Sequence, residues 1–168
     1  MSDTRLVYMA DREGGVRALR DEAARRGHPA DWLVCAQHNR NTASGERLWD
    51  GLIQSEPLGK VEFTLEAAPA RPARRVQQTL YGESVALLQP KSAPAVTVTV
   101  ILAREEHPPT GKKAIEWRLL TNRTAETLEA VLELMDGYRR RWLIEIIFSE
   151  SSNWVAVSMR CSWAPWNG

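Results

Sequence analysis

A chain of 168 residues and 19.0 kDa with 43% hydrophobic content is long enough for one domain with its own core and too apolar for general disorder. Its formal net charge is +1, so charge alone names no polyanionic partner. The bases are nonetheless skewed: four lysines among 22 basic residues leave 18 arginines, whose planar fork suits phosphate, although a GC-rich coding bias gives the same skew.

The cysteines, Cys35 and Cys161, have no CxxC and no neighbouring histidine pair, which excludes a zinc ribbon and points to a reducing, cytoplasmic setting. No apolar run reaches the length of a membrane span, and "MSDTRLVYMA" lacks the basic start of a signal peptide. His28, His38 and His107 have no metal-ligand spacing, and no phosphate loop, HExxH or GxSxG occurs.

"RLVYMA" (5–10) is apolar at nearly every position, as in a strand buried on both faces, and ends at Asp11. "DREGGVRALRDEAARRG" follows with Val16, Leu19, Ala23 and Ala24 at helical spacing and Gly27 as a stop. "DWLVCAQ" (31–37) reads as a second buried strand, so the chain opens strand–helix–strand, the unit of an α/β sheet. Asp11 then stands at the carboxyl end of a strand, where such sheets gather ligands; position alone favours the plainer role of a cap for the next helix.

Residues 58–121 change character. "KVEFTLEA", "ESVALLQP", "AVTVTVILAREE" and "AIEWRLLT" are alternating or β-branched, separated by "APARPAR" and "HPPTGKK", which predicts an antiparallel β module inserted in the α/β unit. Arg71, Arg74 and Arg75 read as a basic loop with phosphate or plain solvent as partner. In "TAETLEAVLELMDGYRRRWLIEIIF" (124–148), Leu128, Val131, Leu132 and Met135 mark a helical stripe, Thr124 is the expected N-cap, and Gly137 is a point for a kink or a division. Beyond it Tyr138, Arg141 and Glu145, spaced i, i+3, i+7, share one face, where Arg141 and Glu145 also pair as an ordinary surface ion pair.

Four signatures occur in order: "MADREGG" (9–15), "WLVCAQHNR" (32–40), "HPPTGKKAIEWRLLT" (107–121) and "YRRRWLIE" (138–145). Together they resemble the DDE transposases of the insertion-sequence-four family, the group with the transposon-five enzyme, over residues 5–148. The resemblance implies an α/β, partial RNase H-like fold with an antiparallel β-rich insertion. Its parts are a core over 1–57, the insertion over 58–121, the helix of the last acid over 122–148, and an aperiodic tail over 149–168.

It also implies DNA binding and metal-dependent phosphodiester cleavage and strand transfer in DNA transposition. Asp11 and Glu145 are then catalytic acids and ligands for Mg2+ or Mn2+, two of a set of three. Tyr138 and Arg141 grip DNA phosphates. Trp117 receives an extruded base, its alternative being an ordinary strand-core tryptophan. The implied partners are transposon-end DNA and, for a non-catalytic remnant acting as an inhibitor, the full-length transposase; no membrane is implied.

The departures are specific. No residue matches the family's first catalytic Asp, Ser152 stands where a Lys is expected seven residues after the Glu, Cys35 replaces an Arg, and Gly15 an acid. After Phe148 helical periodicity stops, and three of the seven tryptophans fall in the last fifteen residues. The expectation is a transposase interior cut at both ends and inactive alone.

Overall fold

The structure, a computed structural model, describes residues 7–10, 21, 25, 31–36, 38–65, 67, 72–88 and 95–151, with backbone alone for 7–10 and 141–151. In chain order its elements are β1 (Val7–Ala10), β2 (Asp31–Cys35), α1 (Leu48–Leu52), β3 (Gly59–Leu65), β4 (Arg74–Leu87), β5 (Val96–Glu105), β6 (Glu116–Thr121) and α2 (Leu128–Ser151). Asp21 and Arg25, between β1 and β2, have helical backbone. The architecture is mixed α/β and mostly antiparallel.

All six strands form one sheet in the order β1-β2-β6-β5-β4-β3. β1 and β2 run parallel, with Val7 opposite Asp31 and Ala10 opposite Val34. The next pairing joins the two halves of the chain: β6 lies antiparallel to β2, Leu33 opposite Thr121 and Cys35 opposite Leu119. The strands of 58–121 therefore extend the sheet begun by β1 and β2.

Side-chain alternation along the strands divides the core in two. One face carries Leu33, Leu80, Ile101, Ala103, Trp117 and Leu119 and is covered by α2 through Val131, Leu134, Met135 and Tyr138. The other carries Trp32, Val34, Val100, Leu102 and Leu120 and is covered by Leu48, Trp49 and Leu52 of α1. Covering on both sides explains why β5 changes from the alternating "VTVT" to the unbroken apolar "VILA" as it reaches the centre.

α2 docks closely because the sheet offers glycine beneath it. A Cβ on Gly82 would stand 3.1 Å from the Ala125 carbonyl oxygen, 3.1 Å from Val131 and 2.9 Å from Leu58. The helix starts three residues later than expected: Thr127 is its N-cap, its hydroxyl accepting from the Ala130 N–H at 3.3 Å. Ala125, fully buried, packs as part of the approach to the helix, so Thr124 does not cap. The backbone runs unbroken through Gly137 and past Phe148 to Ser151, so Gly137 does not divide it.

The basic loop is the clearest correction. Arg74 and Arg75 lie in β4, which opens directly after the Pro72-Ala73 segment. Arg74 forms a two-pronged pair with Glu105, and Arg75 pairs across to Glu62 on β3 at 3.2 Å. Both already hold carboxylates; Arg71 lies outside the described residues.

No helix among the described residues is long and apolar enough to cross a membrane. Cys35 is buried at the end of β2, and Cys161 lies outside the described residues.

Candidate functional site

The strand registers give α2 its direction. Val131 sits over Gly82, which is level with Ile101 and, through it, with Leu119 of β6. Seven residues later Tyr138 meets Trp117, two positions back along β6. α2 therefore returns against β6, in the sense of β2 and β1, and its later half heads toward the end of the sheet where β1 stops at Ala10.

Asp11, the next residue, lies outside the described residues. Glu145 and Arg141 are placed as backbone positions of α2 only. In this unbroken helix Tyr138 and Glu145 are seven residues, hence about 10 Å, apart along the axis. Among the described residues no group of three or more His, Cys, Asp or Glu is arranged to hold a metal. The donors that the sequence singled out, two carboxylates without sulfur or imidazole, suit a hard divalent cation.

Trp117 and Tyr138 are brought together, but as core residues. Trp117 is 2% exposed and Tyr138 7%. Phe63 of β3 stacks on Trp117 at 5.6 Å with planes 18° apart, and Tyr138 meets the same indole edge-on at 5.9 Å and 65°. In this structure Trp117 takes the strand-core alternative, because Phe63 occupies the face on which a base would stack. Tyr138 likewise packs against the sheet, edge-on to Trp117.

A cleft of about 190 Å³ opens beside this aromatic group. Val61, Phe63 and Trp117 wall it from the sheet, Leu132 and Met135 from α2, and Asp136 and Arg139 supply its polar side. The Arg139 guanidinium lies over Phe63 at 5.8 Å, which completes a Trp117–Phe63–Arg139 stack. Asp136 holds Arg139 through one oxygen at 2.9 Å and Arg140 through the other at 2.8 Å. Sequence reasoning missed Phe63, Asp136 and Arg139. The signal available was the acid three and four residues ahead of the two bases.

Next to the aromatic group lies a buried polar knot. Glu105 accepts from both Arg74 nitrogens and from the Ile115 N–H at 2.8 Å, while Gln78, fully buried, donates to the Ile115 carbonyl at 3.2 Å. Burial pushes the Glu105 carboxyl up, but the Arg74 and Ile115 hydrogen bonds and the Arg74 charge outweigh it and hold it below the usual carboxylate range. These bonds fix the start of β6, and so the register of Trp117.

On the opposite face the turn after β2 folds onto α1. Trp49 donates its indole N–H to the His38 carbonyl at 3.1 Å, and Asn39 accepts from the Trp49 backbone N–H at 3.0 Å. Arg118 lies over the Trp49 ring at 5.6 Å and pairs with Glu116 at 2.6 Å. No family model matches the chain.

Proposed function

We propose that the chain is part of a DDE transposase of the insertion-sequence-four type, which binds DNA and cleaves and rejoins phosphodiesters with divalent metal. In this reading β1 and β2 belong to a partial RNase H-like core over 1–57, β3–β6 are its β-rich insertion, and α2 is the helix of the last acid. The observation that carries the reading is the ordered occurrence of four motifs along 5–148. Two features of the geometry support it. Trp117 and Tyr138, from two separate motifs, pack ring to ring, and α2 returns in the sense of β1, the strand that leads into Asp11.

Asp11 and Glu145 would hold Mg2+ or Mn2+, which when bound activates a water or 3′-hydroxyl and offsets charge on the leaving oxygen. Arg141 would grip a phosphate beside them. Stacking a base on the Trp117 face that Phe63 covers requires Phe63 to move aside first, together with the Arg139 guanidinium that lies over Phe63.

A second reading is favoured by the burial of Trp117: a non-catalytic remnant that binds DNA or full-length transposase as an inhibitor. A cleavage assay on end-labelled element DNA with Mn2+ separates the two. Nicking abolished by both Asp11→Ala and Glu145→Ala supports catalysis. No nicking, but dose-dependent inhibition of an active transposase of the same element, supports the remnant. A chain that neither binds DNA nor inhibits contradicts both.

A further inference from the structure

Arg139 and Arg140 share a single counter-ion. Each oxygen of the Asp136 carboxylate holds one guanidinium, and the three side chains together keep a formal charge of +1. The arrangement resembles the way two arginines divide the oxygens of a phosphate. We propose that Arg139 and Arg140 form a phosphate-binding pair, at the mouth of the apolar cleft, whose resting occupant is Asp136, a built-in competitor that an incoming phosphate displaces.

Two observations carry this beyond an ordinary helical ion pair. Serving two arginines is not one of them, since it is not peculiar to Asp136: Glu116 holds Arg118 at 2.6 Å and Arg104 at 3.6 Å. The group is accessible: the side chains of Arg140, Asp136 and Arg139 are 77%, 39% and 35% exposed. Finally, Arg139 is oriented by Phe63 independently of Asp136, so it stays at the cleft mouth when the carboxylate leaves. Pairs at i,i+3 and i,i+4 on a helix surface are weak, and a phosphate carrying more charge competes with them readily.

The inference rests on the transposase reading only for the source of the phosphate, which is DNA backbone there and a free anion otherwise. The test measures binding of a short DNA duplex of arbitrary sequence, and separately of pyrophosphate, across a salt series. The proteins are the parent, Asp136→Asn, the charge-matched control Glu129→Gln, and Asp136→Asn combined with Arg139→Gln and Arg140→Gln. Asp136→Asn is expected to bind DNA roughly three- to tenfold more tightly at about 0.1 M salt, with a log–log salt slope steeper by about 0.9 for each phosphate gained. Glu129→Gln is expected to match the parent, and the combined variant to lose the gain.

Equal behaviour of Asp136→Asn and Glu129→Gln overturns the proposal, as does a gain that survives removal of both arginines. If no variant binds DNA but Asp136→Asn binds pyrophosphate more tightly than the parent, the arginine pair stands and the DNA reading falls. Failure of every variant to bind either probe overturns the pair itself.

Discussion

The indole of Trp117 and the ring of Tyr138 meet edge to face with centroids 5.9 Å apart, and that contact ties the last strand of the sheet to the helix that follows it. Both side chains are buried, so each works first as packing. Trp117→Ala is expected to destabilise the fold by about 3–5 kcal/mol and Tyr138→Ala by about 3 kcal/mol. Urea unfolding measures both; losses below about 1 kcal/mol would mean that the aromatic group is not part of the core.

Gly82 and Gly59 both lie under α2, yet their substitutions should differ. A Cβ on Gly82 meets the Ala125 backbone oxygen, which cannot yield without moving the chain, whereas one on Gly59 meets only the end of the Leu128 side chain. Gly82→Ala is expected to cost about 1–3 kcal/mol and Gly59→Ala distinctly less, as Leu128 can change rotamer. Thermal unfolding of the two variants side by side gives the order.

Glu105 makes stability depend on pH. Its folded-state pKa is depressed, so the stabilisation is present at neutral pH and is lost as pH falls from the ordinary carboxylate range down through the lower folded value. Arg74→Ala leaves a buried carboxylate without its partner and should cost about 3 kcal/mol at pH 7. The same variant should lose progressively less, relative to the parent, toward acid, because protonation removes the stranded charge. Denaturant midpoints of both proteins across pH 3–7 (a range of roughly four units) check the sign.

Thr127 and Thr124 give a simpler contrast. Removing the cap with Thr127→Ala should cost about 1 kcal/mol, and Thr124→Ala should cost little. Equal losses would place the start of α2 elsewhere.

β2 was legible as an unbroken apolar run, β3 and the apolar stripe of α2 because each follows a clean period, and the antiparallel character of 58–121 followed from alternation and Pro/Gly punctuation. The first half of β4 was not legible. "RRVQQTL" carries arginine and glutamine at positions that turn out to face the core, where Arg74 is matched by Glu105 and Gln78 by Ile115. Polar residues satisfied by distant partners look, in sequence, like a solvated loop. The N-cap slipped from Thr124 to Thr127 for a related reason: both threonines suit the role, and only the burial of Ala125 decides between them. The aromatic contact was half legible, since Trp117 and Tyr138 were singled out individually while Phe63, which covers the indole, came from a strand with no motif.

The most direct test is anomalous diffraction from crystals of the chain soaked in Mn2+. Joint ligation predicts one ion bonded to carboxylate oxygens of both Asp11 and Glu145, at roughly the 2.0–2.2 Å expected for a hard divalent cation. An ordered structure with the two carboxylates on opposite sides of the sheet, and manganese bound to neither or to one alone, would contradict it.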